Sequence, residues 1–126
     1  MTLRIPQPVL SGSKALVVGI ANEHSIAWGC AKAFRELGAD VAVTYLNDKA
    51  RPHVEPLARE LGSTIFLPLN VGVPGQLEAV FEAIEQHWGK LDILVHSIAW
   101  APKDDLQGGL LNCSADGFAK SIDISC

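Results

Sequence analysis

An α/β fold built on a doubly wound parallel sheet, with strand order 3-2-1-4, is what this sequence predicts. Three observations carry that expectation. Short apolar runs alternate four times with stretches of helical periodicity, the pattern of parallel strands joined by helical crossovers, with helices on both faces of the sheet. A glycine closes each of the first three helical stretches, at Gly38, Gly62 and Gly89, where a left-handed residue commonly ends a helix. The 126 residues make one ordinary domain or part of a larger one, so a single sheet must gather all four strands; the doubly wound order is its natural arrangement.

The elements follow in order. Residues 14–21, "KALVVGIA", are apolar and β-branched at their centre and bounded by Gly12 and Ser13, as a buried strand would be. From Ser25 the period changes: Ile26, Cys30, Ala33, Phe34 and Leu37 recur at steps of three and four, one apolar helical face. Residues 40–46, "DVAVTYL", form the second strand. The next helix lies within 47–62, with Asp48 as a candidate cap; Pro52 and Pro56 predict a late start or a kink, because proline is tolerated in a first turn and costly further in. "STIFLPLNV" is a third strand. Pro74 is placed to open a third helix, with Leu77, Val80, Phe81, Ile84 and Trp88 on one face. "KLDILVHSIAWAP" is the longest strand-like stretch. A loop with paired glycines follows, and Ser114 is placed to cap a final helix over "ADGFAKSIDISC".

Composition narrows the function classes. The chain is 48 % hydrophobic and 19 % charged, the balance of a globular domain rather than a disordered one. A net charge of −4 with no basic run argues against a nucleic-acid or anionic-membrane partner. No run nears the roughly 20 apolar residues of a membrane span, and the N-terminal "MTLRIPQPVLSGSKA" lacks a signal-peptide core. The three cysteines, Cys30, Cys113 and Cys126, form no Cys-x-x-Cys pair, which fits a reduced, cytoplasmic protein. His24, His53, His87 and His96 show no metal-ligand spacing.

In a doubly wound sheet the ligand sits outside the carboxyl ends of the strands. Here those ends are "GIANEHS", "TYLND", "PLNVG" and "VHSIAWAP". The first turn has no G-x-G-x-x-G: Gly19 is followed by five residues, Ser25, and then Gly29 inside the helix. Gly19 permits a close backbone approach. Ser25 and Ile26 stand at a helix N-terminus, whose free N–H groups and dipole favour a phosphate; Ser25 as a simple helix cap is the alternative. After the second strand, Leu46, Asn47, Asp48, Lys49 and Arg51 give a mixed signal, since an acid there favours NAD and an arginine tolerates a 2′-phosphate. The carboxamide of Asn70 offers an acceptor to an adenine amino group, with Val71 against the ring, or else makes an ordinary turn. Ser97, Ile98 and Ala99 are small enough for a cofactor to lie on the backbone. His96, alone in a strand, suits a packed core group better than a catalyst. Adjacent Asp104 and Asp105 fit a solvated loop better than a carboxylate pair, and Cys30 falls on the apolar face of its helix.

Two segments together, "GIANEHSIAWGCAKAF" and "ILVHSIAWAPKDDLQG", resemble the NAD(P)H-dependent enoyl-acyl-carrier-protein reductases of bacterial fatty-acid synthesis, a divergent branch of the short-chain dehydrogenase/reductases with a Rossmann-type fold. The stretched Gly19-to-Gly29 spacing and His96-Ser97-Ile98-Ala99 stand where ordinary superfamily members carry a glycine-dense turn and Asn-Asn-Ala-Gly. The resemblance implies hydride transfer from NADH, with NADPH not excluded, to the 2,3 double bond of an enoyl thioester on acyl carrier protein. It implies cofactor contacts from Gly19, Ala21, Ser25, Ile26, Leu46, Asn70, Val71, Ser97, Ile98, Ala99 and Ile124. Trp100, Ala101 and Leu106 would border the acyl chain, and Ser125 would approach the nicotinamide end. The family usually has Asp where Asn70 stands, so one acceptor survives without its charge.

The family's catalytic tyrosine, and the lysine six residues after it, follow the next strand. The one tyrosine here, Tyr45, lies in the second strand with Arg51 six residues on, so no catalytic residue is assigned within 1–126. The expectation is the N-terminal cofactor-binding part of a single Rossmann-type domain, incomplete on its C-terminal side, from a homotetrameric enzyme with the final helix near an interface. Another short-chain dehydrogenase/reductase-type oxidoreductase, or a non-catalytic dinucleotide-binding fragment, is the alternative.

Overall fold

The computed structural model describes residues 7–126; the first six residues of the N-terminal stretch discussed above lie outside them. Four parallel strands form one sheet in the order β3-β2-β1-β4, as the alternation of elements predicts. They are β1 (Lys14–Val18), β2 (Asp40–Tyr45), β3 (Phe66–Pro68) and β4 (Ile93–His96), alternating with α1 (Ile26–Glu36), α2 (Arg51–Glu60), α3 (Gln76–Trp88) and α4 (Ala115–Ser125). Short 3-10 turns at Lys103–Leu106 and Leu110–Asn112 occupy the loop before α4.

The central strands explain the register. β1 is buried on both faces, pairing Ala15 with Val41 and Ile93, and Leu16 with Ala42 and Leu94. Alternate residues feed two cores. Ala15, Val17, Val41 and Val43 pack with Ala27, Trp28 and Ala31 of α1 and Val54 and Ala58 of α2. Leu16, Val18 and Ala42 pack with Val80 and Ile84 of α3. This two-sided burial is why the strands are continuous apolar runs rather than alternating ones.

Several boundaries and faces differ from the sequence expectation. α1 buries Ala27, Trp28 and Ala31, one residue round from the predicted stripe, so Ile26 is 83 % exposed and Cys30 is only partly covered. Two alanines bring the helix close to the sheet, and proximity outweighs side-chain size. α2 starts late, as its prolines predict, but Asn47 rather than Asp48 serves its entry, the carboxamide oxygen accepting from the Ala50 N–H at 2.9 Å. Pro74 precedes α3 instead of opening it; Gly75, at φ 87°, stands at the N-cap, a conformation that favours glycine. β4 is not the longest strand but a four-residue one. Among the described residues its outer side has no pairing partner, and pairing with β1 ends where Val18 meets His96. His96 is consequently exposed, correcting its assignment to the core.

Candidate functional site

The carboxyl ends of all four strands open into one cleft with two lobes. The first encloses about 240 Å³ and the second about 430 Å³. They share Leu46, Asn70, Ile98, Ala99 and Ile124, which makes them parts of a continuous crevice. Nine of the residues assigned to a cofactor line the first lobe: Gly19, Ala21, Leu46, Asn70, Val71, Ser97, Ile98, Ala99 and Ile124. Ser25 and Ile26 do not line either lobe; they stand at the entrance to α1.

The first turn is organised by Ser25. Its Oγ accepts from the N–H groups of Ala21 at 2.9 Å and Asn22 at 3.1 Å. The hydroxyl therefore faces back into the turn and makes no cap on its own helix. The Ser25 carbonyl receives the Trp28 and Gly29 N–H groups, while those of Ile26 and Ala27 precede the first intrahelical bond. The sequence left open whether Ser25 caps the helix or attends a phosphate; the geometry rejects the cap, and among the described residues no side chain caps the exposed start of α1 at Ile26. A phosphate suits that position.

Gly19 is required for a different contact from the one its place in the turn suggests. Its φ is +105°, and a Cβ there would stand 2.0 Å from the Ser97 carbonyl oxygen. The missing side chain lets the end of β1 lie against the end of β4, where the Ser97 N–H donates to the Val18 carbonyl at 3.0 Å. The narrow floor of the cleft results. At its far side the Asn70 side-chain oxygen accepts from the Gly72 N–H at 2.9 Å, and the Asn70 N–H donates to Gln76 Oε1 at 2.7 Å. Asn70 is thus a turn residue and a cleft residue together, with one lone pair of its oxygen still free to accept.

Trp100 lines the second lobe with Gly72, Val73 and Lys120. Its N–H donates to Ser125 Oγ at 2.9 Å, and that hydroxyl donates to the Trp100 carbonyl at 3.2 Å. Lys120 Nζ lies 5.1 Å from the centre of its ring. Ala101 and Leu106 line neither lobe, and Leu106 is 70 % exposed. Ile20, Thr44, Leu69 and Gly72 lie within the strand ends the sequence pointed to but were not singled out; Ala50 in the first lobe and Val73 and Lys120 in the second were missed. The register of β2 could have flagged Thr44, one residue before the strand's end. Nothing in the sequence flagged Lys120, which reaches the cleft from the middle of α4.

The acids with lowered pKa sit at the opposite end of the sheet. A hydrogen bond from the Lys14 side chain lowers the Asp40 pKa, against desolvation and with help from the Lys14 and Arg35 charges. The Lys14 backbone N–H and the Lys90 side chain do the same for Asp92. Both stitch strands together and neither faces the cleft. Among the described residues no three His, Cys, Asp or Glu side chains are grouped to hold a metal ion, and no helix is long and apolar enough to cross a membrane.

A parallel sheet in this order, with a crevice across its carboxyl ends, defines a Rossmann-type doubly wound unit. A family model described as enoyl-(acyl carrier protein) reductase matches residues 19–126. The enoyl-[acyl-carrier-protein] reductase [NADH] 1 of Rhizobium meliloti is 44 % identical over 117 residues, which are 93 % of this chain and 43 % of that protein. The enoyl-[acyl-carrier-protein] reductase [NADH] FabI of Aquifex aeolicus is 41 % identical over the same length. Among solved structures, the enoyl-(acyl-carrier-protein) reductase of Anaplasma phagocytophilum, crystallised in complex with NAD, superposes with a TM-score of 0.89 at 36 % identity, over 99 % of this chain and 47 % of that one. The Aquifex aeolicus enzyme superposes with a TM-score of 0.87 at 40 % identity, over 92 % of this chain and 46 % of its own. The chain belongs to the enoyl-(acyl carrier protein) reductase family. It spans less than half the length of the curated relatives it matches.

Proposed function

We propose that this chain is the cofactor-binding part of an NADH-dependent enoyl-acyl-carrier-protein reductase. The observation that carries the reading is the α1 entrance: Ser25 turns its hydroxyl into the preceding loop, so the exposed start of α1 at Ile26 carries no side-chain cap. Bound NADH supplies the hydride that reduces the enoyl double bond. The residues here bind and orient it. The exposed Ile26 donates its N–H to the pyrophosphate beside Gly19, Ala21 and Ser25, Leu46 lies beside the adenosine ribose, and Asn70 and Val71 hold adenine. Ser97, Ile98 and Ala99 carry the middle of the dinucleotide past the floor that Gly19 makes, and Ile124 meets its nicotinamide side. Trp100, with Ala101 and Leu106 after it, borders the acyl chain of a thioester carried by acyl carrier protein. The complete protein acts in the cytoplasm as a homotetramer, and its proton-handling tyrosine and lysine lie outside these residues.

The test has two arms. Titrating the 126-residue chain with NADH should enhance nicotinamide fluorescence saturably, and the complete protein should oxidise NADH when given an enoyl thioester. Turnover of ketones but not of enoyl thioesters would move the protein elsewhere in the superfamily. Binding without any turnover would make it a non-catalytic dinucleotide-binding protein.

A further inference from the structure

The loop between β4 and α4 has only two 3-10 turns and several exposed leucines, yet α4 grips it twice. One grip is Ser125 on the backbone of Trp100. The other is Asp105. One carboxylate oxygen, Oδ1, accepts from the Ser114 N–H at 2.9 Å, and the other, Oδ2, accepts from the Ser114 hydroxyl at 3.0 Å. With its proton committed to Asp105, the same hydroxyl accepts from the Gly117 N–H at 3.0 Å. The carboxylate thus fixes the orientation of the group that caps α4. It also lies in space that only a glycine leaves open: a Cβ at residue 117 would stand 1.6 Å from Asp105 Oδ2. Gly117 has an ordinary helical φ, so this close approach, and not backbone conformation, is what its missing side chain permits.

We propose that Asp105 is a positioning residue for the acyl side of the cleft. It latches the loop to the first turn of α4, as Ser125 latches it to the last, so that the segment from Trp100, which lines the second lobe, to Asp105 is held at both ends rather than hanging as a free flap. This rests on the enzymatic reading above. Gly117→Ala is the discriminating variant. Alanine inside a helix normally stabilises relative to glycine, so a loop that does not depend on the latch should be unaffected or tightened. A latched loop should instead be released, because the new methyl would stand 1.6 Å from Asp105 Oδ2 and 2.7 Å from Ser114 Oγ and force the two apart, while Asp105 and Ser114 keep their chemistry.

In the complete protein, Asp105→Ala and Gly117→Ala should each speed hydrogen exchange at residues 101–113 while leaving α3 unchanged. Both should raise KM for the enoyl thioester about tenfold, with kcat and NADH affinity within about twofold, as expected when binding geometry alone is loosened. Ser114→Thr keeps the hydroxyl and should behave as the parent. Unchanged exchange in both variants overturns the latch; faster exchange with unchanged KM overturns its role in positioning substrate. A parent protein with no enoyl turnover would refute the enzymatic reading, and with it the substrate role, while the exchange rates would still decide whether the latch exists.

Discussion

Ser25 and Gly19 make the cleft for opposite reasons, one through a hydroxyl that is present and the other through a side chain that is absent. Ser25→Ala removes the acceptor for two N–H groups, each bond worth about 1 kcal/mol net and less at this exposure. The expected outcome is a small loss of stability and about tenfold weaker NADH binding, since the turn would no longer be pre-set for the ligand; unchanged binding by fluorescence titration would show that Ser25 only shapes the loop. Gly19→Ala should be more damaging. The new Cβ would meet the Ser97 carbonyl at 2.0 Å with φ held at +105°, and strain of this kind costs on the order of 1–3 kcal/mol before any clash is added. Urea denaturation of the variant should show at least that loss, and a change below about 0.5 kcal/mol would contradict the close-approach account. The sequence made both positions stand out, because chemistry and spacing are local properties. It could not say that Ser25 faces backwards or that Gly19 accommodates a neighbouring strand, because those depend on side-chain torsions and on a contact with residue 97. The same limit applies to Asp105: from sequence it is half of an unremarkable acidic pair, and only folding brings Ser114 and Gly117 against it.

At the scale of elements, the amino ends of the strands are joined by a charge network as the carboxyl ends are joined by the cleft. The Lys14 N–H donates to Asp92 Oδ2 at 2.8 Å, and the Lys14 ammonium pairs with Asp40, tying β1 to β4 and to β2. Arg35 at the end of α1 reaches Asp40 Oδ1 at 3.4 Å. Asp40 and Asp92 both have pKa values below the ordinary 3.8. A carboxyl group whose folded value is depressed stabilises the fold fully above its unfolded value, and that contribution is lost as pH falls through the folded one. Stability should therefore decline as pH drops below about 4, and Asp40→Asn should flatten that decline when unfolding is compared between about pH 5 and about pH 3. An unaltered pH dependence would mean that the network adds nothing beyond what solvent provides for exposed charges. The order of these elements was legible because strand and helix periods differ so plainly and glycines mark the helix ends. Their lengths were less so. β3 and β4 are shorter than their apolar runs because pairing ends them, and a partner's extent is not encoded in the run itself. The face of α1 was misplaced because Ile26 outweighs two alanines in any hydrophobicity pattern, although closeness to the sheet favours the alanines.

At the scale of the molecule, no strand among the described residues pairs with the outer side of β4, and an apolar groove of about 400 Å³ runs beside it. Ile93 and Val95 pack against the core shared with α1 and α2. On the other face Leu94 is 54 % exposed and lines the groove with Leu77 and Phe81 of α3. Covering a side chain of this size is worth about 1.5–3 kcal/mol, and a whole domain is stable by only about 5–15 kcal/mol, so a few such residues in water are a substantial deficit. An apolar edge strand is also a template for another strand; here Lys90 and Asp92, paired with each other at 3.1 Å, sit before the strand rather than on it, and among the described residues Asp123 of α4 is the one carboxylate side chain lining the groove. The 126-residue chain by itself should therefore self-associate through β4. Sedimentation velocity should give a mass that rises with concentration above the 13.5 kDa of one chain. Leu94→Lys, which puts a charge on the open face without touching the cleft, should return the chain toward monomer and leave NADH binding intact. A parent chain that stays monomeric at tens of micromolar and melts cooperatively would show that the edge is already protected, and that four strands with their helices are sufficient to carry this cleft.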